Sequence, residues 1–367
     1  MKRMTYAGSG VDYDALDPFK RRAQIAGRST ADVLRRLGVS EVAASRGESA
    51  YLIETPDGFL AHVEEGLGTK NLVADAMYCL VPGRSFYDHL AQDTVAMIVN
   101  DMITLGALPL AVAMHLGAGS SDWFKDERRS EDLVNGWRRA CELARCAWGG
   151  GETPTLSGVV EPATVVLAGS AIGLVKPKER LIGGNIQAGD AIVVFESSGI
   201  HANGLTLARA VAERAPRGYL TPLADGRSYG EALLDPTHIY VGLVEDCLDR
   251  GVDIHYAVNV TGHGWRKLMR SPEPFAYIID TVPVPHPVFD FIQATGHVDD
   301  VEAYGNFNMG AGFALYVPEK DVATVIELAR AFPFAALRAG HIEKSSTRRV
   351  VIVPRQLEYA GDTLAVR

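Results

Sequence analysis

Six short segments gather residue types that chemistry can use. The first, Glu64-Glu65-Gly66-Leu67-Gly68-Thr69-Lys70, follows an apolar run that reads as a strand. Gly66 and Gly68 let backbone approach a ligand closely, Thr69 offers a hydroxyl, and Lys70 offers a point charge for phosphate oxygens. Glu65 beside them is a candidate oxygen ligand for a divalent cation. The spacing is not that of a Walker A loop. A glycine-containing turn with an exposed lysine is the plainer alternative. The second segment is Asn100-Asp101, in an otherwise apolar helical run that also holds Asp93. A buried aspartate needs a partner. Asp93 and Asp101 lie about two helical turns apart, roughly on one face, where a metal ion, a lysine or a cap would satisfy them.

Gly149-Gly150-Gly151-Glu152 follows a helical run; it is a candidate site for a carboxylate over a phosphate–metal group, or a simple helix cap leading into a loop. Ser197-Ser198-Gly199-Ile200-His201-Ala202-Asn203-Gly204 leads from a strand into a helix. Hydroxyls, permissive backbone and a helix N-terminus suit an anion there, and His201 is a candidate acid or charge stabiliser. The alternative is a turn with capping serines. Asn259-Val260-Thr261-Gly262-His263-Gly264 and Asn306-Phe307-Asn308-Met309-Gly310-Ala311-Gly312 are small polar segments beside apolar strands, each readable as a bulge or turn or as a pocket wall.

Elements must position these residues. Met1–Phe19 reads as an irregular arm and Phe19–Leu37 as a surface helix. Thr55-Pro56-Asp57-Gly58 between two apolar runs predicts a β-hairpin, since Pro presets φ and Gly tolerates positive φ. Apolar spacing predicts a helix over Asp88–Leu105, stopped by Gly106 and Pro109, then a strand over Leu108–Leu116. A helix over Asp132–Trp148 and a strand over Ala163–Val175 follow. Lys176-Pro177-Lys178 and Gly189-Asp190 mark a boundary, giving domains 1–175 and 176–367. The second half alternates strands (Ala191–Phe195, Ala276–Ile279, Phe313–Val317, Val350–Val353) with helices (Leu205–Glu213, Ile239–Leu248, Val322–Ala331). This mixture is an α+β pattern.

The composition narrows the function. With 47% hydrophobic residues over 367 positions, the chain can bury two cores. A net charge of −9 disfavours a general nucleic-acid binder. No apolar run reaches the roughly 18 residues of a membrane span, and the N-terminus lacks the order of a secretory signal. The cysteines, Cys79, Cys141, Cys146 and Cys247, form no CxxC pair and read as reduced thiols in a cytoplasmic protein.

Taken in order, the segments resemble the AIR synthetase family, the phosphoribosylformylglycinamidine cyclo-ligases. The resemblance begins at Tyr6-Ala7-Gly8-Ser9-Gly10-Val11-Asp12 and ends at Arg349-Val350-Val351-Ile352. It is carried by Asp93–Leu110, Gly150–Thr153, Ser197–Gly204, Asp235–Val241, Val260–Gly264 and Phe307–Gly312. It implies a two-domain fold in which an N-terminal mixed sheet forms a barrel across a homodimer and an α/β sandwich follows. It implies a reaction that takes ATP, Mg²⁺ and formylglycinamidine ribonucleotide, a phosphorylated small molecule, to aminoimidazole ribonucleotide, ADP and phosphate. Carried over residue by residue, it implies metal ligands Asp101, Glu152, Glu65 and Asp93, and a nucleotide site of Gly66, Gly68, Thr69, Lys70, Asp101 and Glu152. Lys70, His201 and Asn203 become catalytic candidates. Ser197, Ser198, Gly199, His201, Asn203, Thr261 and Asn308 become substrate contacts, with Asn259 a weaker one. Three departures stand out: Glu65 where the family has Asp, Ser45-Arg46-Gly47-Glu48-Ser49 in place of a Gly-rich run, and His263 within a TGGG pattern. They leave open another phosphoryl-transfer member of the superfamily, or a silent nucleotide-binding paralogue.

Overall fold

The turn at Thr55–Gly58 closes a hairpin in which Thr55 pairs with Gly58 and Tyr51 with His62. Gly58 is required by close approach, since a Cβ there would stand 2.6 Å from the Val175 carbonyl oxygen. The computed structural model describes residues 3–10 and 13–364. The Val11-Asp12 end of the first resemblance segment, Met1, Lys2 and residues 365–367 lie outside them.

The first half runs α1 (Tyr13–Arg28), β1 (Ser40–Glu41), β2 (Tyr51–Thr55), β3 (Gly58–Gly66), α2 (Lys70–Leu80), α3 (Tyr87–Met102), β4 (Leu108–Ala118), α4 (Glu127–Leu143), β5 (Ala147–Glu152) and β6 (Val165–Val175). Its strands form one mixed sheet in the order β1-β2-β3-β6-β4-β5, with β4 and β5 parallel. The period-two burial of β6 places Val165, Leu167 and Ala171 against the helices, while Val166 and Ile172 face outward. Helix α3 lies on the inner face against β3 and β6, and α4 packs beside it. Every residue from Asp93 to Met102 is buried. Gly106 ends the helical run at φ +76°, and a Cβ there would meet the Arg180 carbonyl oxygen at 2.2 Å.

The second half contains β7 (Ala191–Glu196), α5 (Leu205–Ala212), α6 (Tyr229–Leu233), α7 (Val241–Asp249), β8 (Tyr256–Asn259), β9 (Phe275–Ile279), α8 (Pro287–Gly296), α9 (Asp300–Asn306), β10 (Ala311–Val317), α10 (Val322–Ala329), β11 (Ala336–Lys344), β12 (Arg349–Ile352) and β13 (Leu357–Ala360). Its sheet runs β13-β12-β9-β11-β7-β10-β8, antiparallel except for β9–β12. Strand β10 is buried at every position, which is why it reads as a continuous apolar run. The architecture is α+β with two mixed sheets, as the residue pattern predicts.

Three expectations are corrected. Helix begins at Tyr13 within the segment expected to be an irregular arm, and ends at Arg28; Ala31–Leu37 is a 3₁₀ segment. The helix predicted over Asp132–Trp148 starts at Glu127 and stops at Leu143. Gly149-Gly150-Gly151-Glu152 is edge strand rather than helix cap, because parallel pairing with β4 supplies hydrogen bonds that local propensity does not reveal.

A polar stripe on α3 joins the two halves. His89 Nδ1 lies 2.7 Å from the Leu234 carbonyl oxygen, and Gln92 donates to that of Thr237. Asp93 Oδ1 accepts from the amide and hydroxyl of Thr237 at 2.8 and 2.5 Å. Asn100 donates to His238 and accepts from the Tyr240 amide. The Asp235–Val241 segment is thus a strap lying along α3, and the side chains that hold it recur at helical spacing.

Candidate active site

Two elements bring acids together between the halves. Glu65 is near the end of β3, beside Gly169 of β6, on the helix-covered face. Asp101 sits in the last turn of α3, which packs on that face. Asn259, at the end of β8, donates Nδ2–H to Asp101 Oδ1 at 2.7 Å. Around this pair opens a cavity of about 350 Å³, lined also by Gly66, Asn203, Thr261, His263, Lys267, Arg270, Glu48, Ser49 and Lys20. Thr261 accepts a hydrogen bond from Lys267 Nζ. Arg270 donates to Ser49 Oγ at 2.8 Å and to the Gly47 carbonyl oxygen at 3.0 Å, and Tyr256 donates its hydroxyl to Glu48 at 2.9 Å. The Ser45–Ser49 segment is therefore tied down along one wall by residues of the second half.

The electrostatics follow from crowding in a half-dry crevice. Burial, then the neighbouring Asp101 carboxylate, pushes the Glu65 carboxyl up to about 7. Burial pulls Lys267 down to about 8 against the opposing pull of Asp101. Burial, with Arg266 and Lys267 nearby, lowers His263 to about 3, so its ring is neutral. A Glu65 carboxyl whose ionisation is opposed by burial and by a neighbouring carboxylate forms a site that a divalent cation would relieve. The lysines and the arginine suit anionic oxygens. Among the described residues no group of three or more His, Cys, Asp or Glu is placed to hold a metal ion. Two carboxylates plus waters and phosphate oxygens is the donor set that Mg²⁺ tolerates, so the residues fit an Mg²⁺–triphosphate group.

Of the residues singled out in the sequence, Glu65, Gly66, Asp101, Asn203, Asn259 and Thr261 line this cavity. Others go elsewhere, and those readings are corrected. Lys70 is fully buried: Nζ donates to the carbonyl oxygens of His201 (2.9 Å) and Asp235 (2.8 Å) and stands 2.8 Å from Asp93 Oδ2. With those acceptors around it the ammonium is engaged internally, and neither Lys70 nor Asp93 faces a ligand. Gly68, at φ +72°, and Thr69 make the turn that delivers Lys70 to the interior and do not line the cavity.

Glu152 is exposed beside His115 on the outer face of the first sheet. Two strands, β6 and β4, lie between it and Gly66; three inter-strand spacings make about 14 Å, so within the chain it does not join Glu65 and Asp101. His201, at φ +59°, is buried, and its Nε2 accepts the Ser198 amide at 3.1 Å. Burial holds that ring well below the usual histidine range. It is a neutral turn-former rather than an acid. Ser197 Oγ donates to Asn308 Oδ1, Asn308 Nδ2 donates to the Gly199 carbonyl oxygen, and Ser198 Oγ donates to that of Pro236. These bonds lock the turn from inside and leave Ser197, Ser198, Gly199 and Asn308 off the cavity wall. Lys267 and Arg270 were not singled out. Their signal was a basic pair three residues apart on the 3₁₀ turn Gly264–Met269 and its cap, directly after the Thr261–Gly264 segment.

The fold is shared with solved structures whose sequences have drifted far. "Crystal structure of HypE-HypF complex" aligns with TM-score 0.58 at 16% identity over 85% of this chain and 92% of that one. "AaThiL complexed with AMPPCP and TMP" aligns with TM-score 0.57 at 15% identity over 89% and 93%. These define a two-domain fold class. Sequence relatives carry the assignment further. The phosphoribosylformylglycinamidine cyclo-ligase of Carboxydothermus hydrogenoformans is 34% identical over 363 residues, 96% of this chain and 99% of that protein. The one of Methanosarcina acetivorans is 32% identical over 331 residues, 89% of this chain and 92% of that protein. Residues 47–175 match AIR synthase related protein, N-terminal domain, and residues 187–353 match AIR synthase related protein, C-terminal domain. The chain belongs to the AIR synthase related family.

Proposed function

We propose that this protein is an ATP-dependent cyclo-ligase that converts formylglycinamidine ribonucleotide to aminoimidazole ribonucleotide, ADP and phosphate in purine biosynthesis. The observation that carries the reading is the pairing of Glu65 with Asp101 opposite Lys267 and Arg270 in one crevice between the halves. Asp101 and Glu65 would hold Mg²⁺ through their carboxylate oxygens. Lys267, Arg270 and Lys20 would face the phosphates, with Gly66 allowing close backbone approach. ATP supplies a phosphoryl group that makes the amide oxygen a good leaving group. The chain orients the reactants and matches charge. Asn259 fixes the Asp101 carboxylate by its 2.7 Å bond, and Thr261 holds the Lys267 ammonium in place. The test is ADP release by purified protein with Mg²⁺. Turnover should require formylglycinamidine ribonucleotide, and ATP consumption indifferent to it would refute the proposal.

The same reading includes a homodimer. Leu60, Leu110, Val166 and Ile172 are each 41–51% exposed on the first sheet. Register sets His62 beside Ile172 and Ala111 next to it, on the face that no helix covers among the described residues. An open apolar sheet face of this kind suits a second copy of the chain, which would then also sit against Glu152. The proposed location is the cytoplasm. The four cysteines are free, and among the described residues no helix is long and apolar enough to cross a membrane.

A second reading, another phosphoryl-transfer activity of the same superfamily, draws on His263. Its ring lines the cavity where the family pattern has glycine, and it narrows the space for a substrate. A panel of small phosphate acceptors followed by ADP release separates the two.

A further inference from the structure

The end of α4 is a turn whose hydrogen bonds pair two cysteines. The Cys146 amide donates to the Cys141 carbonyl oxygen at 3.0 Å, and the Arg145 amide donates to that of Glu142 at 3.1 Å. Arg145 between them is left-handed, at φ +53°. This is the Schellman pattern, which sets the residue three positions inside the helix end beside the one just beyond it, often with their side chains packed together. Those two side chains are Cys141 and Cys146. Cys141 is 3% exposed, while Cys146 is half-buried at the edge of the core. A left-handed arginine is costly. It is held by Glu245 at 2.6 Å and Asp246 at 2.9 Å, both on α7. Each thiol shifts the acidity of the other, Cys141 upward and Cys146 downward, as neighbouring thiols do.

We propose that Cys141 and Cys146 are a dithiol that oxidises to an intrachain disulfide, a modification site at the root of β5. The oxidant is a small-molecule disulfide such as oxidised glutathione. The Cys146 thiolate attacks one sulfur of the oxidant, the oxidant's S–S bond breaks, and one glutathione leaves as thiolate and takes up the proton Cys146 lost. Cys141 then releases its proton, attacks the Cys146 sulfur and expels the second glutathione. Two electrons pass from the protein to the oxidant. The order follows from exposure: Cys146 is reached from solvent, and Cys141 is reached only by its neighbour. The bond would fix the turn that leads into β5 and the glycines before Glu152.

The sequence provides its own readout, because Arg145 separates the two cysteines. The native full-length protein is incubated with oxidised glutathione, quenched by alkylation and digested with trypsin without reduction. The Ala140–Arg145 peptide should then appear joined to the peptide that begins at Cys146. The joined pair should exceed the glutathione adduct on Cys146 by roughly tenfold, since the turn keeps the second thiol beside the first while glutathione must arrive by collision. Cys141→Ser should trap glutathione on Cys146, and Cys146→Ser should leave Cys141 unmodified in the folded protein. A persistent glutathione adduct on wild-type Cys146 with Cys141 still alkylated would overturn the proposal. So would both thiols remaining reduced while exposed Cys79 reacts.

Discussion

Lys70 Nζ stands 2.8 Å from Asp93 Oδ2 with both side chains fully buried, and the same ammonium binds the carbonyls of His201 and Asp235. The pair joins the β3–α2 turn, helix α3 and two loops of the second half at one point. Removing one partner leaves a charge buried alone, which costs about 3–5 kcal/mol. Lys70→Met and Asp93→Ala should each lower unfolding stability by that order in urea melts without nucleotide, and Lys70→Met with Asp93→Leu should recover much of it. A Lys70→Met protein of normal stability that binds ATP poorly would return Lys70 to the nucleotide site.

Asp101 is the carboxylate on which the proposed chemistry rests. Asp101→Ala should reduce ribonucleotide-dependent ADP release by about 10²–10³-fold, the scale of losing a preorganised charge at a reacting group. It also leaves Asn259 without its acceptor, so stability should fall by about 1–3 kcal/mol. Asp101→Asn should lose the activity and keep more of the stability. Circular dichroism melts beside kinetic assays separate the two effects.

Glu65 makes stability depend on pH in a defined direction. Its carboxyl is raised from the ordinary 4.5 to about 7, so between those values the folded state binds more protons than the unfolded state. The contribution is complete below pH 4.5 and is lost as pH rises through about 7. Lys267, lowered from 10.5 to about 8, acts in the opposite direction at higher pH, where stability is regained between about 8 and 10.5. With a chelator present, the wild-type melting temperature should decline from pH 4.5 to 7 relative to Glu65→Gln. Since Mg²⁺ needs the ionised carboxylate, its apparent affinity should rise over the same interval in wild type and stay flat in the variant.

The open sheet face gives a mutation with little cost to the single chain. Ile172 is 51% exposed, so Ile172→Glu should change the stability of one subunit by less than about 0.5 kcal/mol. In a second copy's interface the same charge is desolvated against apolar neighbours. Sedimentation should show the proposed dimer shifting to monomer, and an unchanged dimer would place the interface elsewhere.

Much of the fold was legible because local rules and burial agreed. Pro56 and Gly58 marked the hairpin, and Gly106 marked the end of the α3 run. Edge strand β5 was not legible: Gly149-Gly150-Gly151 has no strand propensity, and only pairing with β4 makes it one. In the site, Asp101 and Asp93 look alike in sequence, as acids on one apolar helix. Thr237 and Lys70 claim Asp93, while Asn259 leaves Asp101 facing a cavity.

The linear order of polar segments, by itself, was enough to determine family and fold class, because each segment is constrained by a turn, a cap or a buried hydrogen bond that tolerates few residue types. Tertiary structure alone decided which polar side chains are free for a ligand. Strand alternation sends Glu65 to the covered face and Glu152 to the open one. Packing closes the strap of Asp235–Val241 over Lys70, while the turn after Thr261 swings Lys267 and Arg270 toward the acids. A buried charge satisfied by protein and a charge awaiting substrate carry the same side chain; they differ only in what the fold brings within about 3 Å of it.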